Sequence, residues 1–355
     1  MAAIASPPPQ TPTQDANNDF AARSVRSLIR LHPRERLFVT PLHWTPRHVD
    51  LLSCTFIHST SSDASWRLSP PSSPLDDCNL SHDADIDGPS PNPSTRPQIE
   101  SHIKTLAGGK PPVAKAVALG HVLLSNGPAS YKRTTDQLIF RFQGHRIRMP
   151  TEATFSCSQP TLSSVTLPTL AYLDRDTIHR RRERSLEYIC NPPSGRSSHS
   201  TWRLYKKRLE QITPPNSLQD PYILAMLIAL AQSQRRQAPL TSATQSFQVY
   251  VVVTDAKEKS HLVVYTADVP VAFLDRLTTP HKRPRAACHL TVRSFDIPFE
   301  PYPSFPQRLA QAVRPPSPKC PDLLGKEIRD TERRKRAHIV DEDTRDSKRG
   351  KMAQR

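Results

Sequence analysis

The hydrophobic pattern is most regular in the C-terminal half of the chain. Asp220 and Pro221 suit the N-cap and the first position of a helix, and Tyr222 to Gln234 is apolar on nearly every side, which is typical of a buried helix. Phe247 to Thr254 and His261 to Ala267 are rich in β-branched and aromatic residues. A polar turn separates these two runs, so they predict a β-hairpin.

The pattern then predicts a short helix, a third strand and a last helix. Asp268 is expected to cap the short helix, His289 to Ile297 predicts the strand, and Ser304 with Gln307 forms a capping-box pattern before the last helix. The order is helix, strand, strand, helix, strand, helix. It predicts an α+β fold over residues 218–313, with helices packed on a small open sheet.

The preceding block, residues 99–212, has a mixed pattern. Val113 to Leu124 predicts a helix, and a hairpin with a basic outer face is expected to turn near Gln143-Gly144. Leu170 to Ile189 and Thr201 to Ile212 predict two helices rich in arginine and lysine. Nearer the N-terminus, Phe20 to Leu31 predicts a short amphipathic helix packed on its own domain. Arg36 to Val39 and Leu51 to His58 have short strand-like runs.

Composition sets the boundaries between these parts, because the chain has 37 prolines and only 9 glycines. Proline interrupts helices and central strands, so Pro/Ser-rich stretches predict stiff linkers. The predicted organisation is a disordered segment over residues 1–18, short helix and strand segments over 19–68, a disordered acidic linker over 69–98, an α/β block with basic helices over 99–212, an α+β domain over 218–313, and a disordered basic tail over 314–355.

The formal net charge of +16 predicts attraction to polyanions such as nucleic acid, acidic proteins or anionic membranes. The six cysteines lack CxxC spacing, which indicates neither a disulfide framework nor a zinc module. We find no secretory signal, and the longest apolar run is too short to cross a bilayer. The sequence therefore predicts a soluble protein without a membrane partner or a cofactor.

Two basic clusters near the C-terminus resemble a bipartite nuclear localisation signal, whose lysines and arginines lie in acidic grooves of a nuclear import receptor. The alternative is a solvated tail, and the cytoplasm is the alternative location. The residues expected to act in nuclear targeting are Arg333, Arg334, Lys335, Arg336, Lys348, Arg349 and Lys351.

A second basic set lies on the two predicted helices of the 99–212 block and has the residue types that contact phosphates. It comprises Arg180, Arg181, Arg182, Arg203, Lys206, Lys207 and Arg208. Trp202 and Tyr205 would add stacking surfaces, and nucleic-acid binding of this type would be strongly salt-dependent and mostly sequence-independent. The favoured interpretation is different: both aromatic residues belong to the core, and the cations are solvated.

Enzyme motifs are missing from the sequence, so no catalytic, cofactor-binding or metal-binding residue is predicted. The spacing of Cys54 and His58 would place both side chains on one face of a helix or strand, where they would supply half of a metal site at most. A structural role is favoured. A helix followed by strands with acidic residues is typical of nuclease cores in which carboxylates hold Mg²⁺. Here Asp255 and Glu258 lie in the hairpin turn. The following strand, His261 to Ala267, lacks a Glu-x-Lys motif, so a charged turn is favoured.

Residues 220–309 resemble a widespread set of filamentous-fungal proteins that have no assigned activity. The resemblance rests on the apolar helix beginning at Asp220, on Tyr265-Thr266-Ala267 and Phe273-Leu274-Asp275, and on Pro301 to Leu309. It implies a fungal, intracellular setting and supplies no catalytic residues.

These observations lead to one functional hypothesis and two alternatives. The hypothesis is a nuclear, non-enzymatic interaction protein that binds a protein partner of unknown identity. The first alternative is a sequence-nonspecific nucleic-acid-binding protein that uses the basic helices and tail. The second is a degenerate metal-dependent nuclease-like domain.

Overall fold

A seven-stranded sheet organises the part of the chain that the structure describes, and its strands come from distant parts of the sequence. The computed structural model describes residues 20–37, 39–59, 95–125, 130–134, 137–158, 167–190, 198–237 and 246–313. The expected basic tail, the first 18 residues and most of the expected acidic linker lie outside these ranges. All the described residues belong to one unit.

The helices are α1 (Val25–Leu31), α2 (Pro46–Leu51), α3 (Thr95–Ala107), α4 (Pro112–Leu124), α5 (Arg175–Cys190), α6 (His199–Ile212), α7 (Pro221–Gln237), α8 (Val271–Thr278) and α9 (Phe305–Ala312). The strands are β1 (Cys54–Ser59), β2 (Ser130–Thr134), β3 (Ile139–Phe142), β4 (His145–Arg148), β5 (Ala153–Ser158), β6 (Leu167–Asp174), β7 (Ser246–Thr254), β8 (His261–Pro270) and β9 (Leu290–Pro298).

Seven of these strands form a mixed sheet in the order β1-β9-β8-β7-β6-β5-β2, and β3 with β4 forms a separate hairpin. The β1–β9 and β6–β7 pairs are parallel, whereas the other neighbours are antiparallel. Strands β1, β9, β7 and β6 therefore run in the same direction, and their C-terminal ends lie at the same edge of the sheet.

The predicted α+β class is confirmed, and α7 to α9 follow the expected order of helix, strand, strand, helix, strand, helix. The sheet itself is larger than residues 218–313 supply. Strands β2, β5 and β6 from the preceding block and β1 from the N-terminal block pair into it. Segments that Pro/Ser-rich stretches separate in the sequence are therefore neighbours in one sheet. Strands β6 and β1 are the second partners of β7 and β9 and bond to backbone groups that β8 does not reach.

Helices cover both faces of the sheet, which explains the unbroken apolar run in β7. Val249, Val251 and Val253 belong to a core with α7, α8 and the β3–β4 hairpin. Tyr250 and Val252 belong to the opposite core with α3, α4 and α9. Side chains alternate between the faces of a strand, so a central strand covered on both sides is apolar throughout.

Helix α7 is the central helix of the first core, as its apolar composition predicts. Every residue from Pro221 to Gln232 is buried. The side chain of Asp220 accepts a hydrogen bond from the backbone N–H of Tyr222 at 2.9 Å, which confirms the predicted cap. Gln232 exchanges two hydrogen bonds with the backbone of Arg141 and so fixes the β3–β4 hairpin against α7.

The prediction of one helix over Leu170 to Ile189 is wrong in its first turn. Leu170 to Asp174 belong to β6, which is buried between β5 and β7, and α5 begins at Arg175. A short apolar run has no periodicity that distinguishes a buried strand from a buried helix. The parallel partner β7 decides the conformation of this run, and it lies far along the sequence.

Several local predictions also differ from the structure. Arg36 to Val39 forms no strand in its described residues. Asp268 lies inside β8, and Pro270 is the N-cap of α8. Ser304 makes no side-chain cap to α9, because its backbone is already in the helical region. Helix α3 begins at Thr95, inside the segment expected to be a linker.

Candidate polyanion-binding surface

The arginines of α5 differ from one another in their surroundings. Arg180 is exposed and bonds to Thr177 of its own helix at 2.9 Å. Arg181 pairs with Glu152 at 3.1 Å and donates to the carbonyl oxygen of Pro150. Arg180 is therefore available to solvent and ligands, whereas Arg181 is already engaged by the sheet side of the molecule.

Arg182 is a core residue, so its predicted role in polyanion binding is wrong. It is 3% exposed and forms two hydrogen bonds with Asp220, from Nη1 to Oδ2 at 2.9 Å and from Nη2 to Oδ1 at 2.5 Å. Its Nε also donates to the carbonyl oxygen of Leu42. All three nitrogens of the guanidinium are used, and the pair links α5 to the N-terminus of α7.

Helix α6 presents the other predicted cations to solvent. Arg203, Lys206, Lys207 and Arg208 are all exposed. Within the described ranges none of them forms an ion pair, and Arg208 bonds to Gln211 of its own helix. The helix has one carboxylate, that of Glu210, so four cations of α6 are left largely uncompensated by their own element.

The aromatic residues of α6 lie at its surface, which contradicts the favoured prediction that they are core. Trp202 is 48% exposed and Tyr205 is half-buried. Their rings are stacked, with centroids 5.2 Å apart and an interplanar angle of 18°. The Nζ atom of Lys206 lies 5.4 Å from the centroid of the Trp202 ring, within the range of a cation–π contact.

The packing of α6 explains why its apolar side is not fully covered. This helix packs chiefly against α5, and Ile212 is its one buried residue. The pKa of Tyr205 is raised, first by partial desolvation and then by the charges of Glu183 and Glu187 on α5. A helix with one neighbour buries a narrow stripe, and a wider apolar face remains open to solvent.

Helical geometry divides the α6 cations into two groups. At 3.6 residues per turn, Trp202, Arg203 and Lys206 lie within about 100° of one another, and Lys207 adjoins them. Leu204 and Arg208 lie on the other side of the stripe that faces α5. We call Trp202, Arg203, Lys206 and Lys207 the Trp202 face. It places one aromatic platform next to Lys206, with Arg203 and Lys207 further round the helix.

A polar cleft of about 380 Å³ lies at the sheet edge where β7 and β9 end. Arg175 pairs with Asp255 across it at 3.3 Å. Asp296 lies between two histidines, 3.4 Å from Nε2 of His58 and 3.5 Å from Nε2 of His261. The contacts of Asp296 link β1, β8 and β9. Acidic and basic side chains line this cleft together, whereas the charged residues of the Trp202 face are all cations.

The residues weighed for metal chemistry are separated in the structure. Cys54 is buried, its pKa is raised by desolvation, and its thiol faces the carbonyl oxygen of Leu52. His58 is bonded to Ser294 and faces Asp296 instead. Glu258 accepts hydrogen bonds from Ser260. Across the described residues, no group of three or more His, Cys, Asp and Glu side chains could hold a metal ion.

The predicted nuclear-targeting residues, Arg333 to Arg336 and Lys348 to Lys351, lie outside the described residues. No described helix is long and apolar enough to span a membrane. No protein-family model matches this chain, and no curated protein matches it.

Proposed function

We propose that this protein is a nuclear, non-enzymatic binding protein and that the Trp202 face binds a polyanion. The observation that supports this function best is the concentration of exposed, unpaired cations on a helix at the periphery of the fold. A cation that already has a carboxylate partner gains little from a new anion. Arg203, Lys206 and Lys207 have no such partner among the described residues, so an incoming anion supplies their first counter-charge.

The position of α6 also favours binding. The helix rests on α5 and contributes little to either sheet core, so a ligand reaches it without disturbing the fold. The charge of the whole chain, +16, adds a long-range field that attracts polyanions and is screened by salt. Nuclear targeting rests on the two C-terminal basic clusters, which match the residue types that an import receptor binds.

Heparin binding by the full-length protein tests the polyanion-binding part of the proposal. The variant Arg203→Glu with Lys207→Glu reverses two exposed charges one helical turn apart. Arg26→Glu with Arg30→Glu is its matched control, because these arginines are exposed at the same spacing on α1. We expect the α6 variant to elute from heparin at clearly lower salt than the α1 variant. Equal elution of the two would show that net charge alone, with no local surface, determines binding.

A further inference from the structure

We infer that the polyanion bound by the Trp202 face is single-stranded nucleic acid, and this inference rests on the proposed function. Cations alone would attract any polyanion. The additional feature is Trp202, which is about half exposed, is stacked on Tyr205 and contacts Lys206, with Arg203 and Lys207 further round the same helix. Nonspecific single-strand binders combine these two components, since the cations follow the phosphates and the aromatic ring stacks on a base.

The stacked pair prepares Trp202 for this contact. A ring held against Tyr205 and covered in part by Lys206 has less rotational freedom to lose than an isolated exposed indole. Binding to a pre-oriented side chain costs less conformational entropy. Leu204 is exposed to the same extent, 47%, but it is not aromatic and lies on the other side of the helix.

Other polyanions use fewer of these features. The bases of a duplex are stacked on one another, so their faces are not available to an indole, whereas an unpaired strand exposes them. An acidic peptide or heparin would engage Arg203, Lys206 and Lys207 but would have no base to place on Trp202. The juxtaposition of ring and cations therefore favours an unpaired nucleic-acid strand, of RNA or DNA.

The test measures binding of full-length protein to a fluorescent oligouridylate, to oligothymidylate and to a duplex of equal length. We expect the single strands to bind more tightly than the duplex. Trp202→Ala should weaken single-strand binding about 5- to 150-fold, the range found when one stacking residue is removed. Leu204→Ala, matched in exposure, should leave affinity within about twofold, and Trp202→Phe should restore part of the loss.

Salt dependence separates stacking from charge. Trp202→Ala should leave the slope of log affinity against log salt unchanged, whereas Lys206→Ala should lower its magnitude by about 0.7. Equal binding of duplex and single strand, with no effect of Trp202→Ala, would overturn the inference while heparin binding could still support the polyanion function. Loss of both nucleic-acid and heparin binding would overturn both. Circular dichroism of each variant establishes that the overall helix content is unchanged.

Discussion

The buried ion pair between Arg182 and Asp220 offers the sharpest test of how α5 is joined to the core. The perturbation is Arg182→Met, which retains an apolar stem of similar length but removes the charge. It would leave the Asp220 carboxylate buried without its counter-ion, since the side chains of the pair are only 3% and 4% exposed. It would also remove the donor that bonds to the carbonyl oxygen of Leu42.

The expected loss is about 3–5 kcal/mol of unfolding free energy, the usual cost of removing one partner from a buried pair. Asp220→Asn should lower the unfolding free energy by a similar amount, because it leaves the Arg182 guanidinium buried without its counter-ion, although asparagine still caps α7. The loss of unfolding free energy in the double variant should be about 2 kcal/mol smaller than the sum of the two single losses, because no isolated buried charge then remains.

Urea unfolding followed by far-ultraviolet circular dichroism measures these losses. The matched control is Arg180→Met, which removes an exposed arginine two residues away on the same helix and should change stability by no more than about 0.5 kcal/mol. If Arg182→Met costs as little as Arg180→Met, the pair has no such energetic role. At temperatures where the Arg182→Met protein is folded, its heparin binding should equal that of the natural protein.

Two other predictions concern acid sensitivity and targeting. The Nδ1 atom of buried His48 accepts the backbone N–H of Thr45 at 3.0 Å, and desolvation lowers its pKa below the ordinary 6.5. A group whose pKa is lowered by folding loses its stabilising effect as the pH falls below that ordinary value. Unfolding free energy should therefore fall as the pH drops from about 7 to about 5, and His48→Asn should flatten this dependence in urea titrations. A fluorescent reporter fused to residues 326–355 should accumulate in the nucleus and should remain cytoplasmic when the basic residues of 333–336 and 348–351 are alanine.

Local patterns predicted most elements of the C-terminal half because each element has a local signal. Helix α7 has a capping residue and a long apolar run, and the β7–β8 hairpin has a polar turn between two runs rich in β-branched residues. The two parallel pairs were not predictable in this way. The pairing of β6 with β7 and of β1 with β9 depends on residues far apart in sequence, and nothing in either strand's own pattern specifies its partner.

The candidate surface shows the same division between local and long-range information. Sequence identified the cations of α5 and α6 but gave no reason to separate Arg182 from Arg180, because the partner that buries Arg182 lies on another helix. The amphipathic pattern of α6 also led to the prediction that Trp202 belongs to the core. Such a pattern shows which side of a helix is apolar, but it does not show how much of that side a neighbouring element covers.

The coverage of α6 therefore decides the functional interpretation. In α7 an apolar surface is matched by the sheet on one side and by the β3–β4 hairpin on another, so it contributes to stability. In α6 the apolar side is narrower and packs chiefly against α5, and Trp202 retains about half of its surface. Folding leaves that surface exposed beside unpaired cations, where one ligand can contact both. A ligand that supplies both a flat apolar face and negative charge would compensate both features at once.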